Sequence, residues 1–186
     1  GNMSINLVFI VVLLFSLFFT SITSSSISLE GKSINITKSL PVMISTIFNS
    51  KLLMALVIEI PFVVISLLII SIKFKLSFVY FILVLIFSLL IVLCNSMIGL
   101  IVNLKYPKLN YSSDTEVVKQ SMSSMISVFI GLLFFVGIIF CLFKFIDVIS
   151  LNLLILIIIV GLAIVCSGLY YFLNKFGVKD YERLSV

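Results

Sequence analysis

Apolar and polar residues along this chain fall in long blocks rather than at short period. Five apolar runs, about residues 6–22, 52–72, 78–104, 122–143 and 148–173, are separated by polar segments at 23–51, 105–121 and 174–186 and by short turns. Each run falls within or above the ~17–25 residues with which a helix crosses hydrocarbon. In lipid a helix also satisfies its own backbone donors and acceptors. The pattern predicts an all-α membrane protein, a bundle of five transmembrane helices. The turn at 73–77 is short, so the second and third runs should pair as an antiparallel hairpin.

Residues 22–51 carry Glu30, Lys32, Lys38 and Lys51. They are too polar for lipid and read as a water-side hub between the first two spans. Ser39 is placed to cap a helix with Pro41 in its first turn. Leu40, Ile44, Ile47 and Phe48 then recur at helical spacing, opposite Ser45, Thr46, Asn49 and Ser50. That spacing predicts an amphipathic helix between the first and second spans. Two uses stay open for it, a docking helix and a plain linker into the next span. In the second polar segment, Tyr106-Pro107 should stop a helix, and Ser113 with Glu116 has capping-box spacing. The helix so started is expected to run unbroken into the fourth span, some thirty residues or ~45 Å. Gly177 is expected to close the last helix and leave a solvated tail.

Composition narrows the class. The chain is 62% hydrophobic and 10% charged, with a mean hydropathy of +1.42, against roughly 45–50% apolar usage in soluble domains. Little length remains for a folded soluble domain, which excludes a nucleotide-hydrolysing module within the chain. The net charge of +5 comes from scattered lysines and arginines and does not point to nucleic acid. Nine basic residues fall on the hub, the second segment and the tail, and three (Lys73, Lys75, Lys144) on the other side. The positive-inside rule therefore places the hub, the second segment and the C-terminus in the cytoplasm and the N-terminus outside the plasma membrane. An uncharged outer N-terminus in turn predicts an odd number of spans upstream, making this the C-terminal part of a longer protein. Cys94, Cys141 and Cys166 lie inside apolar runs with no histidine in the chain, and they read as buried packing residues.

Some residues resemble a known family. Ser28, Glu30, Gly31 and Lys32, then Lys38-Ser39-Leu40-Pro41-Val42, are similar to the cytoplasmic segment of type-2 ABC exporter permeases, especially large ones of low-GC Gram-positive bacteria. Tyr106-Pro107-Lys108 and the stretch from Glu116 to Ser121 resemble the second segment of the same family, and with the span order the likeness covers nearly the whole chain. The resemblance implies a membrane-spanning permease subunit whose hub carries a coupling helix for a separate ABC ATPase subunit. Glu30, Gly31, Lys32, Lys38 and Pro41 are then the coupling candidates, and the five spans correspond to the second to sixth of a six-span unit. It also implies a second permease half or copy as partner. ATP enters through the partner ATPase, and no cofactor is held by this chain. Residues 144–150 are too short for the re-entrant pair that many members fold between their last two spans.

The residues carry little chemistry of their own. Glu30-Gly31-Lys32-Ser33 ends like a phosphate-binding loop, but Ser26 stands where the first glycine belongs and no strand precedes it. Glu59 lies seven residues into its span, ~10 Å deep, where an unpaired charge costs at least about 3 kcal/mol. It should be protonated, paired or facing a cavity. Pro61 frees the carbonyl of Val57 and should bend the helix, and Ser66 continues a polar seam from Glu59. A structural partner and a transport role both stay open for Glu59. Asn95, Gly99 and Asn103, with Ser96, form a small polar stripe suited to close helix packing, as do Gly131 with Gly137 and Gly161 with Gly168. Besides the exporter subunit, two other readings remain: a non-transporting scaffold or assembly subunit, and an intramembrane enzyme. The enzyme would need several ionisable groups at one depth.

Overall fold

The computed structural model describes residues 2–19, 22–146 and 148–184, apart from the side chains of residues 2–7, 14, 19, 32 and 119. Helix α1 (Asn2–Phe19) is followed by two 3-10 turns, Ile22–Ser25 and Ser28–Ser33, and by the short α2 (Ile34–Ser39). Helices α3 (Ile44–Phe74) and α4 (Phe78–Lys105) form a hairpin, and α5 (Asp114–Gln120) precedes α6 (Met122–Phe145). Helix α7 (Leu151–Phe172) continues through a π turn (Leu173–Gly177) into α8 (Val178–Arg183). Five helices are long and apolar enough to cross a membrane, and no strand occurs among the described residues.

Helix α4 is the axis of the bundle, with α1, α3, α6 and α7 packed around it. From Ile91 to Leu104 every residue but Leu93 and Ile101 is buried. The outer helices instead present large apolar side chains outward, among them Val57, Phe62 and Ile69 on α3 and Phe129, Leu133 and Phe140 on α6. Such a surface would associate in water, whereas in a bilayer it is the face that meets lipid. The α3–α4 hairpin closes on Lys75, a left-handed residue (φ 50, ψ 50) whose N–H caps the Ser71 carbonyl.

Helix boundaries differ from the expected ones at three places, each for a local reason. Ser39 ends α2 rather than starting a helix, and Pro41 lies in the bend before α3. The residue before a proline is driven to extended backbone, and Leu40 is extended (φ −68, ψ 140). Met43 is extended as well (φ −67, ψ 139), so α3 begins at Ile44 and runs without a break through the second span. The helix begun after Ser113 does not run unbroken into α6. It stops at Ser121 (φ −79, ψ 143), whose hydroxyl accepts from the Ser124 N–H and caps α6. Gly177 does not end the last helix, since its backbone is helical (φ −60, ψ −34). Packing explains a glycine there, because a Cβ would stand 3.1 Å from Leu173 Cδ1 and 3.2 Å from Leu104 Cδ1.

Small residues and cysteines also divide unevenly. Gly131 lets α6 approach α1, with its absent Cβ 3.1 Å from the Phe18 carbonyl oxygen, whereas Gly137, Gly161 and Gly168 face open space and make no close helix contact. Cys94 and Cys166 are buried, but Cys141 is exposed rather than buried, in an open groove between α6 and α7.

Candidate functional site

The three polar segments meet at one end of the bundle. Thr23, Ser24, Ser25, Ile27, Ser28, Gly31 and Ile34 are all buried, so the first half of the hub is a strap against protein rather than a loop in water. Buried irregular backbone needs hydrogen-bond partners from the protein, and α4 supplies many of these. The Ile27 and Ser28 N–H groups donate to Asn103 Oδ1 at 2.8 and 3.1 Å. Asn103 Nδ2 donates to Ser28 Oγ (2.7 Å) and Ser123 Oγ (3.0 Å). Ser28 Oγ also accepts from the Lys108 N–H (2.9 Å), and Thr23 Oγ1 donates to the Ser96 carbonyl (2.7 Å). One fully buried amide thus ties the strap, the second polar segment and α6 to α4. Asn95 does the same for α1, donating to the Leu17 carbonyl at 3.1 Å.

Glu30 is the second fastening. Its carboxylate pairs with Lys51 Nζ on α3 at 2.6 Å, the two side chains being 15% and 13% exposed. It also accepts from the Tyr181 hydroxyl of α8 at 3.3 Å, while Lys51 donates to the Ser26 carbonyl at 2.9 Å. Burial first, and then the adjacent Glu30 charge, raises the Tyr181 phenol above its ordinary range. Gly31 turns the strap at a positive φ of 49, and a Cβ there would stand 3.0 Å from the Tyr111 ring. Tyr111 in turn donates to the Leu29 carbonyl (2.9 Å). Lys38 donates to the Glu182 and Leu184 carbonyls at the end of α8 and lies over the Tyr181 ring. The Lys32 side chain lies outside the described residues.

Glu116 is used differently from a capping-box glutamate. It pairs with Lys108 Nζ at 2.5 Å and accepts from the Ser112 N–H and hydroxyl. Lys108 chiefly, then Ser112, lower its carboxyl to about 2. Ser113 is the N-cap residue of α5 by position but makes no side-chain cap bond.

Pro41 and its neighbours behave unlike the other coupling candidates. Leu40, Val42 and Met43 are 52, 48 and 77% exposed, and Ile36 beside them 68%. They form an outward apolar elbow at the polar end, immediately before α3. About midway along α3, Glu59 is buried at 7% exposure. With Ser16 and Ser66 it lines a cleft of about 420 Å³ between α1 and α3, otherwise walled by residues such as Phe9, Phe62 and Val63. The expected seam from Glu59 to Ser66 therefore shares one cavity. Pro61 is exposed within α3 and does not end it.

Sequence reasoning missed Tyr181, Tyr111 and the Ser121–Ser123–Ser124 cluster. For Tyr181 a signal existed, since Val178, Tyr181 and Leu184 repeat every three residues after Gly177 and give the tail a packing face. The serines gave none, because their role depends on Asn103 of another helix. No family model, no curated protein and no solved structure matches this chain.

Proposed function

We propose that this chain is the membrane-spanning subunit of an ATP-driven exporter of the type-2 ABC class, with ATP bound and hydrolysed by a separate subunit. In this reading the polar end faces the cytoplasm, and a second permease half or copy completes the path. The supporting observation is that α3 is one continuous helix from the exposed elbow at 40–43 past Glu59. Ile44 to Glu59 spans about 22 Å along its axis. A partner pressing on Leu40, Val42 and Met43 would move the wall of the α1–α3 cleft directly. Glu30, Gly31 and Lys38 then act as struts, since their inward bonds keep the strap and α8 from yielding to the push. Pro41 aims the elbow.

A photo-crosslinking residue at Met43, with Val148 at the opposite end as control, tests this in cells. The expected Met43 adduct is an ATP-hydrolysing protein. When the two are reconstituted in vesicles, the chain should stimulate hydrolysis, and Met43→Asp should reduce that stimulation about tenfold or more. Adducts with lipid alone, or an ATPase indifferent to Met43→Asp, would favour a non-transporting scaffold and contradict the proposal.

A further inference from the structure

Four of the lysines at the polar end are engaged within the chain. Lys38 binds carbonyls at the end of α8, Lys51 pairs with Glu30, Lys108 pairs with Glu116, and Lys175 donates to the Tyr171 hydroxyl at 3.0 Å. Lys105, Lys179 and Arg183 differ from these. Among the described residues no ion pair and no side-chain hydrogen bond engages any of the three. All three nevertheless line one pocket of about 290 Å³ between the end of α4 and α8. Lys179 and Arg183 are one helical turn apart and so share a face.

Apart from Asp180, the rest of the pocket is apolar. Ile101, Phe172 and Phe176 form its other walls, with the two rings 4.9 Å apart. Phe172 and Phe176 are 43 and 44% exposed and lie where α7 leaves its apolar run, just after Tyr170 and Tyr171, the residue type that favours the membrane interface. Asp180 also lines the pocket and offsets one of the three positive charges. A volume near the ~300 Å³ lower limit of small-ligand sites suits a headgroup rather than a bulky solute.

We propose that Lys105, Lys179 and Arg183 bind the phosphate of an anionic phospholipid whose acyl chains start out along Ile101, Phe172 and Phe176. A free phosphate shares the headgroup chemistry but makes no use of the apolar wall, which continues toward the lipid-facing side of α7. Basic pockets at helix ends near the membrane surface recognise anionic lipids by this combination. The bound lipid would hold α8 against α4 independently of the Glu30–Tyr181 contact.

The test uses the full chain in nanodiscs of equal phosphatidylglycerol and phosphatidylcholine, released into a native mass spectrometer to read the ratio of retained lipids. The wild type should retain phosphatidylglycerol about tenfold over phosphatidylcholine. Lys105→Gln, Lys179→Gln and Arg183→Gln should each lower that ratio by about fivefold. Asp180→Asn should raise it several-fold, a gain that a misfolded variant would not produce. Lys73→Gln with Lys75→Gln, at the opposite end, should leave it unchanged. An unchanged ratio in the three pocket variants, or an equal fall in the Lys73/Lys75 control, overturns the proposal. Millimolar inorganic phosphate should not displace the lipid; displacement would assign the pocket to a soluble anion and overturn the lipid site.

Discussion

Asn103→Leu should destabilise the protein by about 4 kcal/mol, the largest effect expected of any single exchange at the polar end. Leucine fills a similar volume but accepts nothing, so the buried Ile27 and Ser28 amides lose their acceptor. Each orphaned buried group costs about 1–3 kcal/mol. The Ser28 and Ser123 hydroxyls lose a donor as well. Ser123→Ala removes only one of these bonds and should cost about 1 kcal/mol. Equilibrium unfolding in mixed micelles measures both, and amide exchange locates the effect. Protection should fall at residues 27, 28 and 108, whose N–H groups depend on Asn103 or on the Ser28 hydroxyl it orients. A loss of 1 kcal/mol or less for Asn103→Leu would mean that the strap is held by something other than this network.

Glu30→Ala should cost about 3 kcal/mol, because removing one partner of a mostly buried pair leaves the other charge without compensation. Lys51 would keep only the Ser26 carbonyl, and Tyr181 would lose its acceptor. Lys51→Met should be similarly harmful. The double variant Glu30→Leu/Lys51→Met should recover most of the loss, since an apolar pair of like volume is often as stable as the ion pair it replaces. On the proposed exporter reading, the same double variant separates two roles for Glu30. As a strut it is replaceable by packing, so any export the chain supports should survive in the double variant. As a direct contact for the proposed ATPase it is not replaceable, so that export should stay lost even though stability returns.

These two residues show what could be read from the sequence and what could not. The five apolar blocks located the membrane-spanning helices because hydrocarbon imposes its demand on every turn of a helix, leaving a signal some twenty residues long. Asn103 was legible as a packing residue through the four-residue repeat of Asn95, Gly99 and Asn103, but its partners at Ile27 and Ser28 were not, since no local pattern encodes a contact across 75 residues. Glu30 stood out as a charged group in the hub. Its pairing with Lys51 and Tyr181 became visible only when α3 and α8 were brought together. Pro41 was misplaced because a proline suits a first helical turn and equally forbids helix at the residue before it. Leu40 obeys the second effect. Ser121 was overlooked for a similar reason: hydrophobic periodicity continues through Val117 and Met125, while a single serine changes register by capping the next helix with its own hydroxyl.

In the structure the strap, the second polar segment and α8 assemble at one end of the five-helix bundle, the cytoplasmic end in the proposed orientation. Single cysteines at the exposed positions Asn35, Asn110, Glu182 and Ser77, in a background without the native three, test it with a membrane-impermeant maleimide. Intact cells should label position 77 alone, and permeabilised cells should add 35, 110 and 182 together. Labelling of 35, 110 or 182 in intact cells, or of 77 only after permeabilisation, would rule out this arrangement.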